Sequence, residues 1–142
     1  ADAVQGTIAI GFNASSLTRR GYSDASPGAP NTWEGGLAIV DYRCDARLRE
    51  RPVVERHAAF SIAYVRKGSF GYRVRGNQYE LVPGSILVGE PGDEYVCTHD
   101  HVCGDRCLSI QLQGDLVEGL GATRSVWRLG ALPPIAGLIV AA

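Results

Sequence analysis

Long apolar runs are missing from this chain. Nothing in it approaches the ~20 residues of a membrane span, and its N-terminus has no basic region followed by an apolar core, so neither a spanning helix nor a secretory leader is read from it. A dominant sign of charge is missing too. Lys plus Arg number 14 against 15 for Asp plus Glu, a net charge of -1, so there is no long-range basic field to draw in nucleic acid or an anionic membrane. Contact with DNA is expected to come from elsewhere. No stretch keeps the period of a long amphipathic helix. Histidine and cysteine are scarce, at three and four. Four cysteines suffice for two disulfides in an exported protein, but without an export signal, and with two of them beside histidines, a reduced cytoplasmic compartment is expected. The 142 residues, 45% of them hydrophobic, are enough for one domain with its own core and too few for two.

What the chain does have is short strands divided by turns. Residues 1–31 mix Gly, Ser, Ala and Pro around one short apolar alternation, Thr7 to Ile10, and read as a flexible N-terminal segment containing a candidate edge strand. Residues 32–142 are read as the folded domain. Leu37 to Tyr42 has the branched and aromatic content of a strand that continues through Arg43 and Cys44; the Cys44 thiol could reach a site, but is expected in the core. Arg47 to His57 carries both signs of charge and Pro52, which fits a solvated loop or an edge strand. Phe60, Ile62 and Tyr64 alternate with Ser61, Ala63 and Val65 as in a half-buried strand. After Gly68, Phe70, Tyr72 and Val74 face one way and Arg73 and Arg75 the other, and Gly76-Asn77 is predicted to turn the chain into a hairpin with Gln78 to Val82. Pro83-Gly84 and Pro91-Gly92-Asp93 are further turns around the short strand Ile86 to Val88. Leu108, Ile110 and Leu112 alternate in a return strand, and Val126 to Leu129 is a candidate for another. Pro133 and Pro134 suit the first turn of a helix with Ile135, Leu138 and Ile139 as its apolar side. Closely spaced strands with Gly and Pro at nearly every joint predict an all-β jelly-roll barrel with the start of a C-terminal helix. Alternating aromatics such as Phe60, Tyr64, Phe70 and Tyr72 are expected to fill its core, and its mouth to hold a ligand.

The scarce residues are gathered in one stretch, Pro91 to Leu112, which holds two of the three histidines and three of the four cysteines. Read as an extended strand, Tyr95, Cys97, His99, His101 and Cys103 project to one side. Residues two apart stand about 6.5 to 7 Å apart, whereas Cys97 and Cys103 would be about 20 Å apart on a straight strand, so a shared ion requires a bend. Gly104 and Asp105 supply turn chemistry, and Cys107 would then fold back toward His101. The candidate metal ligands are therefore Cys97, His99, His101, Cys103 and Cys107. Imidazole and thiolate together select zinc or another thiophilic transition metal over calcium or magnesium. In the plainer reading the histidines bond backbone groups and the cysteines are small buried hydrophobes.

From Ala63 to Leu112 the sequence AYVRKGSFGYRVRGNQYELVPGSILVGEPGDEYVCTHDHVCGDRCLSIQL resembles the N-terminal cupin domain of AraC-type transcription regulators. It carries the same order of a strand ending in glycine, a Gly-Asn hairpin, PGS, a short strand and PGDE. The likeness extends from Leu37 to Ile135, and VWRLGALPPI is similar to the segment leading toward that family's helical part. The resemblance implies a cupin-like double-stranded β-helix that binds a small-molecule or metal effector or mediates homodimer contacts. It also implies a separate helix-turn-helix DNA-binding domain, which is expected to lie outside these 142 residues. The paired histidines of metal-dependent cupin enzymes are not matched, since only His57 stands near the first motif and Tyr95 near the second. A metal at the Cys-x-His-x-His and Gly-Asp-x-Cys cluster would thus occupy a different site, at the rim of the barrel.

Three functions follow from these residues. The first is the sensor half of a transcription regulator, with a metal or effector at the His/Cys cluster altering how the DNA-binding half is presented. The second is a small metalloenzyme, whose general acid or base would come from Asp100, Asp105, Glu94 or His57. The third is thiol redox sensing, with Cys103 and Cys107 forming a pair. The first is preferred, because acidic residues in such strands and turns more often cap or face solvent.

Overall fold

The computed structural model describes residues 18–19, 35–44, 47–49, 51–100 and 104–137. The alternation Thr7 to Ile10, and Leu138 and Ile139, lie outside them. The strands are β1 (Thr18–Arg19), β2 (Leu37–Cys44), β3 (Val54–Arg56), β4 (Phe60–Lys67), β5 (Phe70–Val74), β6 (Asn77–Leu81), β7 (Ile86–Gly89), β8 (Glu94–Thr98), β9 (Asp105–Leu112) and β10 (Ala131–Leu132). Two short helices, α1 (Gly114–Gly119) and α2 (Arg124–Trp127), lie between the last two strands. A six-stranded sheet runs β1-β2-β9-β4-β7-β10 and a four-stranded sheet β3-β8-β5-β6. Every pairing is antiparallel except that of β1 with β2. The two sheets close into the all-β jelly-roll barrel that the turn spacing predicts, with the cupin-like architecture that the resemblance implies.

The period-two patterns sort the side chains into two layers. Ala63, Val65, Leu87 and Cys107 of the larger sheet meet Phe70, Tyr72, Val74, Leu81 and Tyr95 of the smaller one inside the barrel. The other face of the larger sheet carries a second cluster, where Phe60, Ile62, Tyr64 and Ile110 pack with Ile86, Val88, Val117 and Trp127. The aromatics read together in the sequence therefore separate. Phe70 and Tyr72 enter the barrel, whereas Phe60 lies outside it, 4.9 Å from the Trp127 ring.

Three local expectations are corrected. The hairpin turns on Arg75-Gly76 rather than Gly76-Asn77, with Val74 opposite Asn77. Both turn residues have positive φ, +47° and +76°, as a two-residue turn of the primed type requires. Arg75 is tied down there, its guanidinium donating to Asp93 and, at 2.6 Å, to the Arg128 carbonyl. Second, Val126 to Leu129 adds no strand. The chain is helical from Arg124 to Trp127, which turns the Trp127 indole onto the outer cluster and leaves Val126 and Leu129 exposed. Third, the strand read from Tyr95 onward ends at Thr98, so His99 lies beyond β8. A helical turn does open at Ala136 and Gly137, after the two prolines.

Candidate functional site

In the β2 and β9 ladder Cys44 stands opposite Asp105, and Tyr42 opposite Cys107. Alternation then places Cys44, Asp105 and Cys107 on the inner face at one end of the barrel. The chain leaving β8 brings His99 to the same end, where its ring stacks on Phe70 at 6.1 Å and its carbonyl accepts the Arg49 N–H at 2.7 Å. His99 Nε2 lies 2.9 Å from Asp105 Oδ2 and 3.6 Å from Cys44 Sγ. The second carboxylate oxygen of Asp105 is met by Cys107 Sγ at 3.5 Å. One ring nitrogen thus faces both a sulfur and a carboxylate oxygen, although a neutral imidazole offers at most one proton there.

Cys44, His99 and Asp105 bring one donor atom each within 4.8 Å of one another. A tetrahedral zinc with Zn–S of about 2.3 Å and Zn–N of about 2.0 to 2.1 Å holds sulfur and nitrogen about 3.5 Å apart. The 3.6 Å between Cys44 and His99 matches that spacing, whereas the 2.9 Å between His99 and Asp105 is a hydrogen-bond distance that an ion would widen to about 3.3 Å. The hydrogen bond to Asp105, and then that to Cys44, outweigh burial and raise the His99 pKa to about 9. The imidazole therefore holds its proton at neutral pH, and a metal must displace it.

A cavity opens from this cluster into the barrel. Its volume is about 70 Å³, room for roughly five waters. Cys44, Asp105 and Cys107 form one wall, Ser109 and Gln111 continue along β9, and His57 and Tyr95 lie across from them. His57 is held from both sides, by Ser61 Oγ at Nδ1 (3.2 Å) and by the Tyr72 hydroxyl at Nε2 (2.9 Å), and it stacks on Tyr95 at 4.3 Å. Gly89 makes this possible, since a Cβ there would sit 2.4 Å from the His57 ring. Burial first, and Cys97 after it, push the Tyr72 phenol far above its usual range, so it remains a neutral partner of His57.

The family model for the AraC-like ligand binding domain matches residues 45–128. The chain belongs to this family. Among solved structures, the cupin domain of Cnp3 from Schizosaccharomyces pombe is similar, with a TM-score of 0.51 at 11% identity over 65% of this chain and 67% of that one. A cupin superfamily protein from Desulfitobacterium hafniense has a TM-score of 0.46 at 13% identity, over 58% and 72% of the two chains. A cupin 2 conserved barrel domain protein from Salinispora arenicola has a TM-score of 0.47 at 10% identity, over 63% and 74%. No curated protein matches.

The AraC-like domain places the ligands read from its sequence as follows. His99 is in the converging group, and Cys107 is one bond away on Asp105. Cys97 is half-buried in β8 opposite Tyr72 and lines the cavity, outside that group. His101 and Cys103 lie outside the described residues. Sequence reading assigned Cys44 to the core and Asp105 to a turn; both are donors in the group. Asp105 opens β9 rather than completing a turn, while Gly104 (φ +70°) alone takes the turn conformation. The signal that could have found them is the pairing of β2 with β9, which puts Cys44 level with Asp105. Among the described residues no helix is long and apolar enough to cross a membrane.

Proposed function

We propose that this AraC-like domain is the sensor half of a transcription regulator, binding zinc or another thiophilic metal at Cys44, His99 and Asp105, with Cys107 as the fourth donor and a small effector in the adjoining cavity. The observation that carries this reading is the convergence of Cys44 Sγ and Asp105 Oδ2 on the single atom His99 Nε2. Thiolate, imidazole and carboxylate are donors suited to zinc, and an all-oxygen ion such as magnesium would not select them. His101 and Cys103, which follow His99 closely in sequence, belong to the candidate set, and Cys97 to the cavity wall. The domain is proposed to act in the cytoplasm, as a homodimer, and to reach DNA through a separate helix-turn-helix domain.

We read it as a binding domain rather than an enzyme. Both ring nitrogens of His57, the histidine on the cavity wall, are engaged by Ser61 and Tyr72, which suits holding a wall better than moving protons. Elemental analysis of the purified domain, with zinc titration against a competing chelator, tests the metal reading. One ion per chain is expected, with affinity at least ~10-fold weaker in Cys44→Ser and in His99→Gln. A domain that takes up no ion, or variants that bind as well as the parent, would reject it.

A further inference from the structure

The barrel's interior is joined by a chain of rings to residues 128–130, the segment between α2 and β10. Tyr72 is fully buried and hydrogen-bonds His57 on the cavity wall. Directly opposite it in the β5 and β6 ladder stands Tyr79, with ring centroids 6.3 Å apart. Tyr79 reaches out of the core, and its hydroxyl donates to the Leu129 carbonyl at 3.0 Å. Gly130 lies against the same ring, so closely that a Cβ there would meet Tyr79 atoms at 2.8 to 3.0 Å. A ring in that contact cannot shift without moving the backbone on top of it.

We propose that residues 128–130 form a latched strap through which the state of the cavity is passed to the chain beyond it, with Tyr79 as the lever. Val88 N–H holds the Gly130 carbonyl at 2.8 Å and pins the strap's far end to β7, so the latch proper is the two side-chain bonds ahead of it, Tyr79 to Leu129 O and Arg75 to Arg128 O. Arg75 is the non-glycine residue of the hairpin turn at positive φ, and its guanidinium is fixed by Asp93. Ahead of the strap, Trp127 is anchored in the outer cluster, only 3% exposed, whereas Leu129 within it is 44% exposed. The latched carbonyls lie at the surface, where water can replace either donor, so latched and released forms are close in free energy. The two forms differ in whether Tyr79 and Arg75 hold these carbonyls, and whatever moves His57 and Tyr72 biases the choice. Ligand entering the cavity is one such input. That source of input rests on the function proposed above, while the linkage between rings and strap does not.

Amide hydrogen exchange over residues 128–132 of the full chain tests the linkage without metal or ligand. Tyr79→Phe keeps the ring and removes the hydroxyl, and exchange there is expected to rise roughly fivefold, the ratio expected for one hydrogen bond. Tyr72→Phe, changed only inside the barrel, is expected to raise exchange over the same residues, and its effect to vanish in the Tyr79→Phe background. Thermal melts accompany each variant, and His57→Asn replaces Tyr72→Phe if that variant unfolds. If Tyr72→Phe or His57→Asn leaves exchange at 128–132 at the parent rate, the linkage is wrong, even where zinc binding is intact. If the interior and strap variants act additively, the lever is also wrong.

Discussion

Asp105 Oδ2 lies 2.9 Å from His99 Nε2, and both side chains are more than nine-tenths buried, at 7% and 6% exposure. A buried pair of this kind gains from charge only while the ring keeps its proton. The protonation of His99 therefore governs both the stability of this end of the barrel and its readiness for a metal.

The first prediction concerns alkaline pH. The His99 pKa, raised to about 9 by Asp105 and then Cys44, exceeds its ordinary value of about 6.5. Stability from this shift is complete below about pH 6.5 and is lost as pH rises through about 9. In chelator-treated protein, melting at pH 6, 8 and 10 should show a decline of roughly 1 to 3 kcal/mol. Asp105→Asn should flatten that slope; an equally steep decline in the variant would remove Asp105 as its cause.

A second prediction follows from the fit of Gly89 under His57. Gly89→Ala would place a methyl group 2.4 Å from the His57 ring. The ring must then leave Ser61 and Tyr72, or the strands must part. Overpacking of this kind costs roughly 1 to 3 kcal/mol. Urea denaturation should show the loss, with a greater drop than Gly114→Ala, where the added Cβ meets open space.

The barrel was legible in the sequence because strand alternation and turn residues are local. The order of strands from Phe60 to Leu112 came out as read, with Tyr72 inward and Arg73 outward. The hairpin was misplaced by one residue because Gly76-Asn77 is good turn chemistry, and the fixing of Arg75 by Asp93 and Arg128 is long-range. The helix α2 was missed for a similar reason, since Trp127 follows Phe60 across sixty-seven positions and not its own neighbours. At the candidate site, His99 and Cys107 were visible as part of a local cluster. Cys44 was legible as a core thiol able to reach a site and is buried as read, but its partner was not, because its place beside Asp105 depends on β2 pairing with β9 across the whole domain.

The third prediction concerns acid. Burial raises the Asp41 carboxyl, but the Arg106 bonds, at 3.0 and 2.5 Å, outweigh it and hold the group below its ordinary range. Stability from this pair is present above the ordinary pKa of about 3.9 and is lost as pH falls through the lower folded value. Asp41→Asn should cost about 1 kcal/mol at pH 7 and make the acid limb of the stability profile less steep. A variant with the parent's acid limb would count against the pair.

The fourth prediction concerns the Trp127 indole. It is 3% exposed and packs on Phe60 in the outer cluster, while its buried Nε1 has no hydrogen-bond partner among the described residues. Trp127→Ala removes the packing and should cost about 3 to 5 kcal/mol. Trp127→Phe retains most of it and removes an N–H whose burial is itself unfavourable, so its cost should stay under about 1.5 kcal/mol. The comparison is made by chemical denaturation of both variants at neutral pH. Equal losses would mean that Nε1 has a partner on which the helix depends, and that the outer cluster is held by more than apolar contact.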